Sequence, residues 1–76
     1  MPRLGPIKRE DFIRKLRLLG FEGPFPAKRH AFMQYGDYSL HIPRYEEYSK
    51  EKHREMLREV EHVVGHAISR DEWLRL

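Results

Sequence analysis

The fold is decided by the stretch "AFMQYGDYSLHIP", residues 31–43, in which two alternating runs are separated by Gly36 and Asp37. Alternation of apolar and polar residues predicts strands, and a two-residue turn of this kind predicts an antiparallel hairpin. With this turn the residues expected to face the core form three cross-strand pairs, which are Ala31 with Ile42, Met33 with Leu40, and Tyr35 with Tyr38. The side chains expected on the opposite, open side are those of His30, Phe32, Gln34, Ser39 and His41.

Helical periodicity flanks the hairpin on both sides. On its N-terminal side a helix is predicted from about Arg9, and Gly20 is a suitable residue to follow the end of that helix. The predicted apolar stripe of this helix consists of Phe12, Ile13, Leu16 and Leu19. Arg14, Lys15 and Arg17 fall off the stripe. Leu18 also falls outside it and is expected to be a lone exposed leucine, the alternative being a contact with a partner.

On the C-terminal side, Ser49 is suited to cap a helix from about Lys50 to Val64, which Gly65 would end. The predicted apolar stripe of this helix consists of Met56, Leu57, Val60, Val63 and Val64. The tetrapeptide "SRDE", residues 69–72, has the pattern of a capping box and predicts one more short helix.

Of the remaining segments, residues 1–8 and 23–29 contain the turn-forming residues glycine and proline, and residues 44–48 are polar and include tyrosine. They are predicted as an irregular segment at residues 1–8, a short strand at 21–22, and loops at 23–29 and 44–48. The order is therefore helix, short strand, hairpin, helix and short helix, which is an α+β fold. A chain of 76 residues suffices for one small domain, so we predict a single domain over residues 1–76.

Composition and charge limit the kinds of function. The chain contains no cysteine, which excludes disulfides and cysteine-based zinc sites and fits a reducing compartment. No apolar stretch reaches the length of a membrane span or signal-peptide core, so we expect a cytoplasmic protein without a membrane partner. The net charge is +3, with eight Lys and Arg against four Asp and Glu in the first 38 residues. Since the second half holds seven against eight, the basic excess lies in the first half and favours a polyanion such as nucleic acid.

His30 directly follows Lys28 and Arg29 at the head of the hairpin. Imidazole exchanges protons near neutrality, and two adjacent cations can hold a phosphate. RNA contains its own nucleophile in the 2′-hydroxyl, so its cleavage needs little more than a positioned acid or base and a cationic site. From the residues alone, a histidine that contacts RNA or packs without catalysis is the simpler interpretation. His41 is expected to pack against Phe32, the alternative being a second acid or base beside His30.

The other histidines do not predict a metal site. His62 and His66 are four residues apart, but Gly65 is expected to end the helix before His66, and no third ligand stands at a metal-binding spacing. We therefore expect a solvated face there, with no metal and no cofactor. His53 falls within the apolar stripe of its helix and is predicted to pack at the boundary of that stripe.

Three segments of the chain together resemble a known family. The opening "IKREDFIRKLRLLGFE" is similar to the first helix and following strand of HicA-type toxins, small bacterial and archaeal proteins of toxin–antitoxin pairs. The stretch "KRHAFMQYGDYSLHIP" resembles their histidine-bearing strand and hairpin, and "AISRDEWL" resembles their closing segment. The resemblance covers most of the chain. In this sequence Lys28 and Arg29 stand where that family has small residues before its histidine.

The resemblance implies a three-stranded antiparallel sheet with helices packed on one face, similar to the double-stranded-RNA-binding domain. It also implies a metal-independent ribonuclease that cleaves mRNA and is neutralised by a HicB-type antitoxin. The family's catalytic histidine maps onto His30. Lys28 and Arg29 would then hold phosphate, with Lys8 and Arg9 as further RNA-binding candidates. Two alternatives stay open, a non-catalytic RNA-binding module on the same fold and a purely protein-binding domain.

Overall fold

A three-stranded antiparallel sheet and three helices make up most of the structure, a computed structural model that describes residues 3–76. The elements in chain order are β1 (Ile7–Lys8), α1 (Arg9–Leu18), β2 (Glu22–Phe25), β3 (Ala31–Tyr35), β4 (Tyr38–Ile42), β5 (Glu47–Tyr48), α2 (Lys50–Val64) and α3 (Arg70–Leu74). Strands β2, β3 and β4 form the sheet in that order, which confirms the predicted α+β fold and its short C-terminal helix. The first two residues of the segment predicted as irregular lie outside the described residues.

The β3–β4 hairpin has the predicted register. Ala31 is the cross-strand partner of Ile42, and Tyr35 is the partner of Tyr38. Gly36 has a φ of 57°, a left-handed value that favours glycine in the turn. The core-facing side chains that are completely buried are those of Met33, Leu40 and Ile42. The prediction was wrong for Tyr38, which is 59% exposed because it lies next to the turn, at the end of the sheet.

Strand β2 is longer than predicted. The pattern predicted a strand at residues 21–22 followed by a loop, whereas β2 continues to Phe25. Glu22 pairs with Gln34 and Phe25 pairs with Phe32, and the register shifts between these two pairs. Gly23 lies at this shift with a φ of 121°, and a Cβ there would approach the carbonyl oxygen of Phe32 to 3.0 Å. The glycine therefore forms an irregularity within the strand and does not end it.

A two-stranded sheet forms where no strand was predicted. β1 pairs antiparallel with β5, with Ile7 opposite Tyr48 and Lys8 opposite Glu47. The predictions of an irregular segment over residues 1–8 and a loop over residues 44–48 are therefore wrong at these positions. Strands of two residues leave no periodic signal in the sequence, so alternation could not reveal them.

The helices cover one face of the three-stranded sheet. The largest completely buried side chains are Phe12, Leu16, Met33, Leu40, Ile42, Tyr48, Leu57, Val60 and Trp73. Trp73 belongs to α3, and its ring meets Phe12 of α1 at a centroid distance of 5.4 Å. The short helix therefore completes the core that α1, α2 and the sheet enclose.

The two predicted caps stabilise the ends of α2 and α3. The Ser49 hydroxyl accepts a hydrogen bond from the amide of Lys52 at 3.2 Å, and Gly65 follows α2 with a φ of 84°. The Ser69 hydroxyl accepts from the amide of Glu72 at 3.1 Å, which is the serine half of the predicted capping box.

Lys15 is buried, although it lies off the predicted apolar stripe of α1. Only 7% of its surface is accessible, and its ammonium donates to the carbonyl oxygens of Trp73 at 2.8 Å and of Leu76 at 3.4 Å. Burial lowers the pKa of Lys15, and the charge of Arg14 adds to this effect. The stripe of α1 could not predict this because the partners are carbonyl groups at the end of α3, far away in sequence.

His53 is also buried and does not lie at the edge of the apolar stripe. It is 2% exposed, its Nε2 accepts from the indole N–H of Trp73 at 2.8 Å, and its Nδ1 donates to the carbonyl oxygen of Gly5 at 2.8 Å. An indole can only donate, so this ring is neutral with its proton on Nδ1. Burial lowers the pKa of His53; the bond to Gly5 opposes this, and the charges of Lys15 and Arg70 add to it.

Candidate nucleic-acid interface

The predicted catalytic residue lies in an exposed bend, here called the histidine bend. It consists of Lys28, Arg29 and His30, which immediately precede β3 and are all exposed. Within residues 3–76 the ring of His30 takes part in no hydrogen bond and no ion pair, unlike that of His53. The ring is therefore open to a ligand from solvent, and among the described residues no hydrogen bond or ion pair fixes its orientation.

Arg9 lies at the same end of the hairpin as the histidine bend. His30 precedes β3 and Pro43 follows β4, and since these strands are antiparallel the two residues share one end of the sheet. Nε of Arg9 donates to the carbonyl oxygen of Pro43 at 3.1 Å, and the hydroxyl of Tyr48 donates to the same oxygen at 2.6 Å. Burial raises the pKa of Tyr48 although Arg9 opposes this, so the phenol stays a neutral donor.

Lys8 and Arg9 line an open groove whose charges are balanced, here called the mixed groove. It has a volume of about 640 Å³ and is lined by Lys8, Arg9, Glu10, Arg44, Glu46 and Glu47. Three cations and three carboxylates line it, so it offers a phosphate little net attraction. No residue of the histidine bend lines this groove. The structure therefore does not bring the two predicted pairs of RNA-binding residues into one pocket.

A second groove, here called the basic groove, is lined by cations from both halves of the chain. It has a volume of about 440 Å³ and is lined by Arg3, Leu4, Gly5, Lys50, Arg54 and Arg70. Four positive side chains and no carboxylate line it, so it attracts anions. Sequence reasoning missed it because three of its cations come from the half of the chain with a net negative charge. The spacing of Lys50 and Arg54 could have indicated part of this groove, since residues four apart lie on the same face of a helix.

The open face of the three-stranded sheet presents a row of rings. Phe25 on β2, Phe32 on β3 and His41 on β4 are successive cross-strand partners, so the predicted pairing of His41 with Phe32 is confirmed. The centroids of the two phenylalanine rings are 5.5 Å apart with an interplanar angle of 39°, and Phe25 is 39% exposed. Sequence reasoning missed Phe25 because Pro24 and Pro26 on either side assigned it to a loop.

No group of three His, Cys, Asp or Glu side chains able to hold a metal ion occurs within residues 3–76. His62 and His66 line one shallow depression together with Glu61. A carboxylate oxygen of Glu61 accepts from the amide of Ile68 at 2.7 Å, and Nδ1 of His66 lies 3.0 Å from the carbonyl oxygen of Ala67. These polar atoms thus serve the turn that follows α2.

None of the helices within the described residues combines the length and the apolar character that crossing a membrane requires. Comparisons with protein-family models, with curated proteins and with solved structures yield no match to the chain. We therefore infer a function from the histidine bend, the two grooves and the open face, together with the resemblance of the sequence.

Proposed function

We propose that the chain is the toxin of a toxin–antitoxin pair, a HicA-like endoribonuclease that cleaves mRNA without a metal ion or cofactor. His30 transfers the proton, and Lys28 and Arg29 bind the phosphodiester. The observation that supports this most directly is the exposure of the His30 ring beside two cations at the start of β3. His53, which packs within the core, is by contrast buried.

The proposed reaction balances without a further reactant. The 2′-oxygen attacks the adjacent phosphorus as its hydroxyl proton leaves, the bond from phosphorus to the 5′-oxygen breaks, and the 5′-oxygen gains a proton. The products are a 2′,3′-cyclic phosphate and a 5′-hydroxyl. His30 acts either as the base toward the 2′-hydroxyl or as the acid toward the leaving oxygen, and water mediates the other transfer. Lys28 and Arg29 stabilise the negative charge that develops on the phosphoryl oxygens.

Lys8 and Arg9 are proposed as weaker RNA contacts. The carboxylates of the mixed groove oppose the approach of a phosphate to both side chains. Arg9 is the better candidate, because its bond to the Pro43 carbonyl places it at the sheet end that bears His30.

Incubation of the purified protein with a long mRNA in EDTA tests this proposal. The wild type should produce fragments, and His30→Ala should produce none while retaining the circular dichroism of the fold. His62→Ala is the matched control, because His62 is exposed and lies on α2, outside the histidine bend, so this variant should cleave at the wild-type rate. A substrate with 2′-deoxyribose at the cleaved positions should stay intact. Cleavage at full rate by His30→Ala would refute the assignment.

A non-catalytic RNA-binding module on the same fold is the second candidate, and the basic groove favours it. Four cations without a carboxylate can bind phosphate with no part played by His30. A gel shift without fragments, kept by His30→Ala and weakened by Arg54→Gln, would support the binding module. Fragments that depend on His30 would exclude it.

We also propose a HicB-like antitoxin as the partner and the cytoplasm as the location, where mRNA is found. The antitoxin would cover the histidine bend and so keep RNA from His30. Co-purification of the chain with the product of an adjacent open reading frame tests the pairing. Loss of RNA cleavage in that complex is the expected result, and cleavage at the rate of the free protein would contradict it.

A further inference from the structure

The row of rings on the open face lies on the side of the sheet away from the core. The buried residues of the hairpin alternate with Phe32 and His41, so these two side chains project from the other side. Phe25 pairs with Phe32 on that side and keeps 39% of its surface exposed. Binding of a ligand that covers apolar surface of this kind is favourable, because it removes that surface from water.

The charges beside the rings indicate which kind of ligand fits them. Two residues of chain span at most about 7 Å, so the Cα atoms of His30 and Phe32 lie within about that distance. Lys28 follows Phe25 by three residues, so the cations of the histidine bend connect the strands that bear the two rings. The acidic residue of β2, Glu22, pairs with Gln34, which is further from the histidine bend than Phe32 is. Aromatic rings next to cations match a nucleic acid strand, whose bases stack and whose phosphates are negative.

A single strand matches this surface better than the other candidates do. A duplex presents its phosphates, but its bases are already stacked and their faces are covered. An apolar peptide would use the rings and leave the cations of the histidine bend without a partner.

We propose that Phe25 and Phe32 form the surface on which an unpaired base of single-stranded RNA stacks, with His41 extending that surface. This inference rests on the proposed function, because the stacked base belongs to the RNA whose phosphodiester lies at His30. The stacked base positions the strand, so that a neighbouring phosphate meets the histidine bend. Stacking tolerates all four bases, so the surface selects unpaired over paired RNA more than one sequence over another.

The test measures the binding of a fluorescent 2′-O-methyl RNA oligonucleotide, which lacks the free 2′-hydroxyl needed for cleavage. Phe25→Ala should weaken single-strand binding by about 5- to 150-fold, the usual effect of losing one base–aromatic stack. The dependence of binding on salt concentration should not change, because no charge is removed. Tyr45→Ala is the matched control, since Tyr45 is a 70% exposed aromatic residue outside the three strands, and its loss should leave binding unchanged.

Abasic oligonucleotides show whether a loss of binding is a loss of stacking. An abasic site moved along the strand should weaken wild-type binding most at the stacked position, and in Phe25→Ala the further loss there should be much smaller. Phe25→Leu keeps an apolar side chain on an edge strand, so it provides a folded variant with no ring. Wild-type affinity in Phe25→Leu, or equal losses on intact and abasic strands, overturns the inference and leaves the proposed nuclease standing. Failure of the wild type to bind single-stranded RNA overturns both.

Discussion

Replacement of His53 by leucine measures how much the buried hydrogen bonds between α2, α3 and the N-terminal segment stabilise the fold. The substitution leaves the indole N–H of Trp73 buried without an acceptor, which costs about 1–3 kcal/mol, and removes the bond to Gly5, worth about 0.5–1.5 kcal/mol. We therefore expect the free energy of unfolding to fall by about 2–4 kcal/mol, a large part of the about 5–15 kcal/mol typical of a domain. Urea titration followed by circular dichroism measures the loss.

Two further variants show that the loss belongs to the hydrogen bond with Trp73. His62→Leu changes an exposed histidine on the same helix and should alter the free energy of unfolding by less than about 0.5 kcal/mol. The double variant His53→Leu with Trp73→Phe removes donor and acceptor together, so its destabilisation should be about 1–2 kcal/mol smaller than the sum of the two single effects. Additive single effects, or a His53→Leu protein as stable as the wild type, would refute the reasoning.

Four further outcomes are expected. Burial lowers the pKa of His53 in the folded chain, whereas in the unfolded chain it is about 6.5. Between these two pKa values the unfolded chain binds more protons than the folded chain. The free energy of unfolding should therefore fall as the pH drops below about 6.5. Urea titrations across this range measure the fall, and a slope unchanged in His53→Gln would contradict its origin. Gly65→Ala should lower the free energy of unfolding by about 1–2 kcal/mol, because the φ of Gly65 is 84° although a Cβ there would meet no other atom. A Cβ on Gly5 would also meet no other atom, and Gly5 has no positive φ, so Gly5→Ala should cost less than about 0.5 kcal/mol. Equal thermal midpoints of the two variants would contradict this. His30→Ala should leave the free energy of unfolding within about 0.5 kcal/mol of the wild type, and a larger loss in urea would show that the ring is structural. Lys28→Gln should lower the slope of log K against log salt for single-stranded RNA by about 0.7, and an unchanged slope would remove Lys28 from the phosphate contacts.

The hairpin could be predicted down to its register because two independent signals agree. Alternation assigns a face to each residue, and the two-residue turn at Gly36 fixes which residues pair. The two-residue strands β1 and β5 have neither signal, so they could not be found in the sequence. Caps at Ser49 and Ser69 were predictable because their partners lie three residues away.

Contacts between distant segments account for what could not be predicted. The burial of Lys15 and His53 depends on carbonyl and indole groups 20 to 61 residues away, which no local pattern reveals. At the candidate site, the exposure of His30 agrees with its place at the head of a strand. The basic groove was missed because the net charge of each half of the sequence does not show which charged residues lie together in the fold. Phe25 was missed because proline on both sides indicated a loop.

The bonds of His53 join parts of the polypeptide that leave the ribosome at different times. Gly5 is made 48 residues before His53, and Trp73 is added 20 residues after it. Until that tryptophan emerges, the nascent chain lacks the largest of the fully buried side chains among residues 3–76. The core of this fold is therefore completed only after Trp73 has been made, and a nuclease built in this way would stay inactive until then.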